Sequence, residues 1–183
     1  MKKKALVILH PGFEEMEAVA PIDLLARAKI EVTQASVGQD LLVTGRNGIT
    51  LQATHYLRDV LNESFDAVII PGGPGIHQIR QHPELCALLH KQQARGGLVA
   101  CICAAPLLLL DAGLLKGVAH TAHPSTSNEL PNAGKGITVQ DSNILTSPGA
   151  GTATEFALEI VRNLTNTSNA QSIAESICWT PLA

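Results

Sequence analysis

Gly97-Leu98-Val99-Ala100-Cys101-Ile102-Cys103-Ala104-Ala105-Pro106-Leu107-Leu108-Leu109-Leu110 is the stretch that decides the fold. Its first part is a short apolar run of the kind that forms a strand buried on both faces. Its last part is an apolar helix opened by Pro106, which suits a first turn because its missing N–H has no partner there. Between them stand a cysteine and two alanines. Strand, tight turn and helix in that order form a nucleophile elbow, which holds a reactive side chain above the edge of an α/β sheet. The N–H groups of the following helix favour negative charge and lower a thiol's pKa. Ala104 and Ala105 leave a path to the sulfur of Cys103.

Further strand-length apolar runs lie at 5–9, 30–37, 66–70 and 118–121. Segments 41–43 and 49–53 flank Gly45-Arg46-Asn47-Gly48 and predict a hairpin. Segments 137–139 and 144–146 predict a second. Helical patterns cover 13–28, 56–61, 83–94, a stretch from Pro106 to about Ala112, 152–163 and 168–178. Pro21 is expected to bend the first of them. Strands alternating with helices predict a mostly parallel sheet with helices on both faces, as one domain spanning 1–183. Ligands bind such sheets at the carboxyl ends of the strands. The loops after Leu9, Ile70, Ala100 and Thr121 should therefore converge, and they carry Glu17, the glycines of Pro71-Gly72-Gly73-Pro74-Gly75, Cys103 and His123.

Composition narrows the function classes. An apolar fraction of 45% against 16% charged residues belongs to a packed globule rather than a disordered chain. A net charge of −3 gives no basic surface for nucleic acid. Four cysteines at irregular spacing read as reduced thiols in a cytoplasmic protein. Lys2-Lys3-Lys4 precedes an apolar run too short for a signal peptide, which ends at His10-Pro11-Gly12 and reads as the first strand. No stretch is long enough to cross a membrane.

Cys103 is the candidate nucleophile; the alternative is a buried structural thiol. A free thiol near pKa ~8.5 is only a few per cent ionised at neutral pH. A drop of about three units makes it nearly all thiolate and corresponds to roughly 4 kcal/mol. A neighbouring protonated carboxyl that donates to sulfur supplies part of such a drop. Cys101 points elsewhere if the strand continues to alternate, while Cys86 and Cys178 fall in helical patterns. Cys101, Cys103, His120 and His123 also allow a soft-metal site, though not at the spacing of the common zinc frameworks. His123 lies beyond a strand end, where a base belongs; His77 follows the glycine loop; His10, His55, His82 and His90 have no such support. Glu14, Glu15 and Glu17 open one helix. Successive helical residues are about 100° apart, so they cannot all face inward, and the sequence does not choose among them.

Phe13-Glu14-Glu15-Met16-Glu17, Pro71-Gly72-Gly73, Ala100 to Pro106, His123-Pro124 and Thr146-Ser147-Pro148-Gly149-Ala150-Gly151-Thr152 recur in this order in the ThiJ/PfpI superfamily. The chain resembles that superfamily over essentially its whole length, nearest the branch of the parkinsonism-associated protein deglycase and its bacterial relatives. The resemblance implies a flavodoxin-like fold and a homodimer. It implies Cys103 as nucleophile, Glu17 as its protonated partner and His123 as the site histidine. Gly72, Gly73 and Ala104 match the oxyanion pocket. Arg46 and Arg27 match basic positions near the site, the latter reaching across the dimer. Pro148 stands where that branch often has an arginine. The implied activity is cofactor-independent glyoxalase or deglycase chemistry on a small aldehyde or a glycated substrate, with oxidative sensing or chaperone behaviour as the alternative use of the same cysteine. Ala104 replaces the histidine of protease-like branches, and Pro124-Ser125 after His123 removes the acid that a glutamine amidotransferase needs.

Overall fold

The computed structural model describes residues 2–180. The first apolar run forms β1 (Lys4–Leu9), followed by α1 (Glu15–Arg27) and β2 (Glu31–Ser36). The predicted hairpin is β3 (Leu42–Thr44) and β4 (Thr50–Gln52), which pair antiparallel as a separate ribbon. Next come β5 (His55–Tyr56), α2 (Leu57–Val60), β6 (Ala67–Ile70), α3 (Ile76–Ile79) and α4 (Pro83–Ala94). The central stretch gives β7 (Leu98–Ile102) and α5 (Pro106–Asp111). The chain continues through β8 (Val139–Asp141), β9 (Ile144–Ser147), α6 (Ala153–Leu164) and α7 (Thr167–Ser176).

The main sheet has seven strands in the order β5-β2-β1-β6-β7-β9-β8. Every pairing in it is parallel except β8 with β9. The five strands from β2 to β9 thus follow the flavodoxin-like order, in which chain direction reverses between the first strand and the third. Right-handed crossovers put α1 on one face and α4 and α5 on the other, because β1-to-β2 and β6-to-β7 step in opposite directions. Helix α6 returns to pack on α1. β1, β6 and β7 are buried almost throughout, as their unbroken apolar runs require. The crevice of such a sheet lies where the direction reverses, at the carboxyl ends of β1 and β6.

One expectation needs correction. Residues 118–121 are not a strand: Thr121 makes one isolated bridge, to Gly134. The neighbouring edge of β9 is already taken by β8, and the Thr121 N–H donates instead to the Thr146 hydroxyl at 2.9 Å. Helix α1 runs from Glu15 to Arg27 with Pro21 inside it, on its buried side.

At the opposite end of the sheet, Gln92 on α4 is 2% exposed, and its Nε2 donates to the carbonyls of Phe65 and Leu98, both at 3.1 Å. It thereby ties the entries of β6 and β7. Arg95 also serves the Phe65 carbonyl, and the pairing of Ala67 with Leu98 gives the Leu98 carbonyl the Val68 N–H, so Gln92→Leu leaves neither carbonyl without a donor. Urea denaturation should show a loss of about 1 kcal/mol, the net contribution of an ordinary hydrogen bond rather than the cost of an unserved buried acceptor.

Candidate active site

The three glutamates at the start of α1 have three separate tasks. Glu14 caps the helix, its Oε2 accepting the Glu17 N–H at 2.9 Å. Glu15 turns to the β3–β4 ribbon and accepts from Asn47 N and Nδ2 at 2.6 and 2.9 Å. Only Glu17 faces the crevice, 1% exposed, where its Oε2 accepts the Gly72 N–H at 2.7 Å. Its Oε1 is buried with no partner of hydrogen-bond geometry, although the Cys103 side chain lies close enough to couple with the carboxyl.

Cys103 follows β7 with φ +65°. That left-handed conformation is strained for a residue with a side chain, and it is the elbow that the sequence pattern predicts. Backbone bonds hold it on both sides. Its N–H donates to the Ser147 carbonyl at 2.8 Å, and its own carbonyl accepts the His123 N–H at 2.9 Å. The side chain is 9% exposed, whereas Cys101 is wholly enclosed in β7 and burial pushes its thiol up.

The glycine loop fits around this elbow with no space to spare. A Cβ on Gly72 would stand 2.6 Å from Cys103 Cβ and 2.9 Å from the Ala104 nitrogen. Gly73 has φ +104°, and a Cβ there would meet the Gly12 carbonyl at 2.4 Å. This close approach lets the N–H groups of Gly73 and Ala104 point at the Cys103 sulfur and pull its pKa down. Burial first, then the charge on Glu17, outweigh them and push the thiol up to about 12. Burial also pushes the Glu17 carboxyl up to about 7, against the Gly72 N–H. The expected lowering by the helix terminus is therefore corrected: α5 has only six residues, its field is small, and the local N–H groups act in its place. Glu17 and Cys103 titrate as one pair, which loses its first proton around pH 7 and holds no more than one negative charge near neutrality.

His123 is exposed at the rim, and its Nδ1 accepts the Ser125 N–H at 3.2 Å. The neutral ring then carries its proton on Nε2. A Cβ on Gly149 would be 3.4 Å from His123 Cδ2, so the Pro148-Gly149 turn after β9 borders this ring. Arg46 is exposed on the β3–β4 turn, and its charge pulls the Glu17 carboxyl down. Arg27 is not brought to the site within this chain. It ends α1, about 15 Å along the axis from Glu17, and pairs with Asp23 at 2.9 Å. The alternative metal set is not assembled: His120 Nδ1 contacts the Val118 carbonyl, and no group of three or more His, Cys, Asp or Glu is gathered for a metal among the described residues.

Sequence reading passed over His10, which is wholly buried behind the glycine loop. Its signal was a titratable residue closing an otherwise apolar central strand. Ser125 and Asn47 carried no signal, because their work is local hydrogen bonding.

The sequence pattern of the DJ-1/PfpI family matches residues 3–163. The chain belongs to the DJ-1/PfpI family. Among curated relatives it is 38% identical to protein dj-1beta of Drosophila melanogaster over 97% of each chain. It is 33% identical to the glutathione-independent glyoxalase DJR-1.2 of Caenorhabditis elegans, again over 97% of each. The solved structure of Toxoplasma gondii DJ-1 in its oxidised form superposes with a TM-score of 0.93 at 36% identity, covering 98% of this chain and 100% of that one. The elbow and crevice described above are thus set in a DJ-1-like fold.

The raised carboxyl of this DJ-1/PfpI site has a thermodynamic signature. Glu17 titrates near 7 when folded against 4.5 when free, so its contribution to stability is complete below pH 4.5 and is lost as pH rises through 7. The loss amounts to about 3 kcal/mol. Glu17→Gln should flatten the stability profile between pH 4.5 and 7 and leave the variant more stable than wild type at pH 8, as read by denaturant midpoints.

Proposed function

We propose that the chain is a cysteine-dependent glyoxalase or deglycase that uses Cys103 on small 2-oxoaldehydes or their adducts, without a cofactor. The observation that carries this reading is the pairing of a buried carboxyl, Glu17, with an elbow cysteine whose sulfur receives the N–H groups of Gly73 and Ala104. With the pair's one proton on Glu17, the carboxyl's charge no longer opposes the thiolate, and its O–H becomes a donor to sulfur. Cys103 then attacks the aldehyde carbon of methylglyoxal, and a proton reaches the new alkoxide to give a hemithioacetal. The N–H groups of Gly73 and Ala104 stabilise the oxyanion. Glu17, with His123 at the rim, moves a proton from the first carbon to the second through an enediol. The product is a lactoyl thioester on Cys103. Water cleaves it, releasing lactate and restoring the sulfur. Arg46 and the Pro148 turn border the entrance.

The relative named as a glutathione-independent glyoxalase supports this reading. A homodimer belongs to the same proposal. Met16 and Val19 on α1 and Ile49 on the β3–β4 turn are exposed and apolar, a patch that a second copy would cover; the reach of Arg27 across such a dimer rests on the family resemblance alone. Among the described residues no helix is long and apolar enough to cross a membrane. A cytoplasmic location belongs to the same proposal. A second reading, an oxidation sensor, uses the same sulfur, and the T. gondii relative is described as oxidised. Sulfinate formation under mild peroxide with negligible turnover would select it.

Cys103→Ser should abolish lactate formation from methylglyoxal, while Cys101→Ser keeps most of it provided the core tolerates the hydroxyl. Enzymatic lactate assay distinguishes the two, and equal losses in well-folded variants would refute the roles assigned.

A further inference from the structure

We propose that His10 is a positioning residue that acts on Glu17, and so on Cys103, through the single peptide unit joining Pro71 to Gly72. His10 follows β1 directly and is wholly buried. Its Nε2 lies 3.1 Å from the Pro71 carbonyl. The N–H on the other side of that same peptide donates to Glu17 Oε2 at 2.7 Å. A carbonyl that accepts a hydrogen bond polarises its peptide, and the peptide's N–H becomes a stronger donor. The imidazole therefore reinforces the bond that fixes the carboxyl. Because that bond keeps Oε2 as acceptor, the carboxyl proton belongs on Oε1, the buried oxygen with no other partner.

Both ring nitrogens face carbonyls, Nδ1 lying 3.2 Å from that of Pro11. Burial holds the ring's pKa down against the carbonyls of Pro71, Pro11 and Gly72, so the neutral ring has one proton to place. It belongs on Nε2. The Pro71 contact is fully buried, whereas the Pro11 contact is only partly so and water can serve that carbonyl. The loop closes over the ring: a Cβ on Gly75 would stand 2.7 Å from Nδ1. The charged groups that act on Glu17 are Glu14, which raises its pKa, and Arg46, which lowers it. His10 is shifted by burial and backbone groups alone.

This proposal rests on the Glu17–Cys103 pairing of the reading above, and its test does not use turnover. Iodoacetamide alkylation of Cys103, followed against pH by peptide mass, reports the apparent pKa of the pair. The negative charge of the pair is stabilised by the Gly72 N–H, so weakening that donor raises the apparent pKa. His10→Leu should shift it up by about half a unit, making alkylation below it about threefold slower. His10→Gln, whose amide N–H reaches the place of Nε2, should restore most of the profile. His10→Asn, which reaches only the place of Nδ1, should behave like the leucine variant and stands in for it if that variant fails to fold. In a Glu17→Gln background the His10 substitutions should have little further effect. An unchanged profile in folded His10→Asn, or an equal shift in the Glu17→Gln background, overturns the proposal, the latter by showing simple loosening of the loop. If Glu17→Gln alone leaves the Cys103 profile unmoved, the pairing itself fails, and that result is distinct from a failure of His10 alone.

Discussion

The hydrogen bond from the Gly72 N–H to Glu17 Oε2 is the constraint on which the site depends. It spans the reversal point of the sheet, joining the helix that follows β1 to the loop that follows β6. The other side of Gly72 is held as well, because its carbonyl accepts the Glu14 N–H at 3.0 Å. Glu14 in turn caps the helix that presents Glu17. No side chain fits at Gly72, since a Cβ would overlap Cys103 Cβ. The absence of that one carbon lets carboxyl, peptide N–H and sulfur occupy neighbouring positions.

Bringing a carboxyl and a thiol together in so buried a place forbids two negative charges there. Burial raises both groups, and each raises the other when it ionises. The donors present are the N–H groups of Gly72, Gly73 and Ala104, with Arg46 at the surface. They suffice for one charge shared between two atoms. Such a pair exchanges a proton with little change in total charge, which suits the proposed reaction, in which sulfur is first deprotonated and a proton later moves between adjacent carbons.

Much of this was legible in the chain itself, because buried parallel strands write themselves as unbroken apolar runs. Residues 5–9, 66–70 and 98–100 could be placed that way, although the last of these strands runs two residues further, to Ile102, and the elbow followed from what came next. Residues 118–121 have the same apolar character but no sheet edge to join, and edge availability is a tertiary property. The choice among Glu14, Glu15 and Glu17 was also hidden. It is settled by a cap, by Asn47 from a distant ribbon and by Gly72, and the last two of these lie far along the chain. Composition favoured an easily ionised thiol at a helix terminus. The short α5 and the enclosure of the sulfur reverse that balance, and neither can be read from residue types.

A left-handed cysteine costs on the order of 1–3 kcal/mol, so something must hold the elbow against relaxation. The Ser147 carbonyl and the His123 N–H grip its two peptide groups. Arg80 sits at the end of α3, with Nε and Nη2 each donating to Asp111 at 2.6 Å and Nη1 to Glu129 at 2.9 Å. Those three residues end or follow the segments that carry Gly73, Cys103 and His123. The Arg80 side chain is about one-fifth exposed, while those of Asp111 and Glu129 are 30% and 43% exposed, so solvent partly screens the tie and its bidentate geometry is what sets it above an ordinary surface pair. The strained residue is thus held directly by two backbone bonds, while the ionic tie joins the ends of the three segments that carry the site. Relaxation of the elbow would break the bonds to Ser147 and His123, which is why the sulfur can be held in a conformation that its own backbone disfavours.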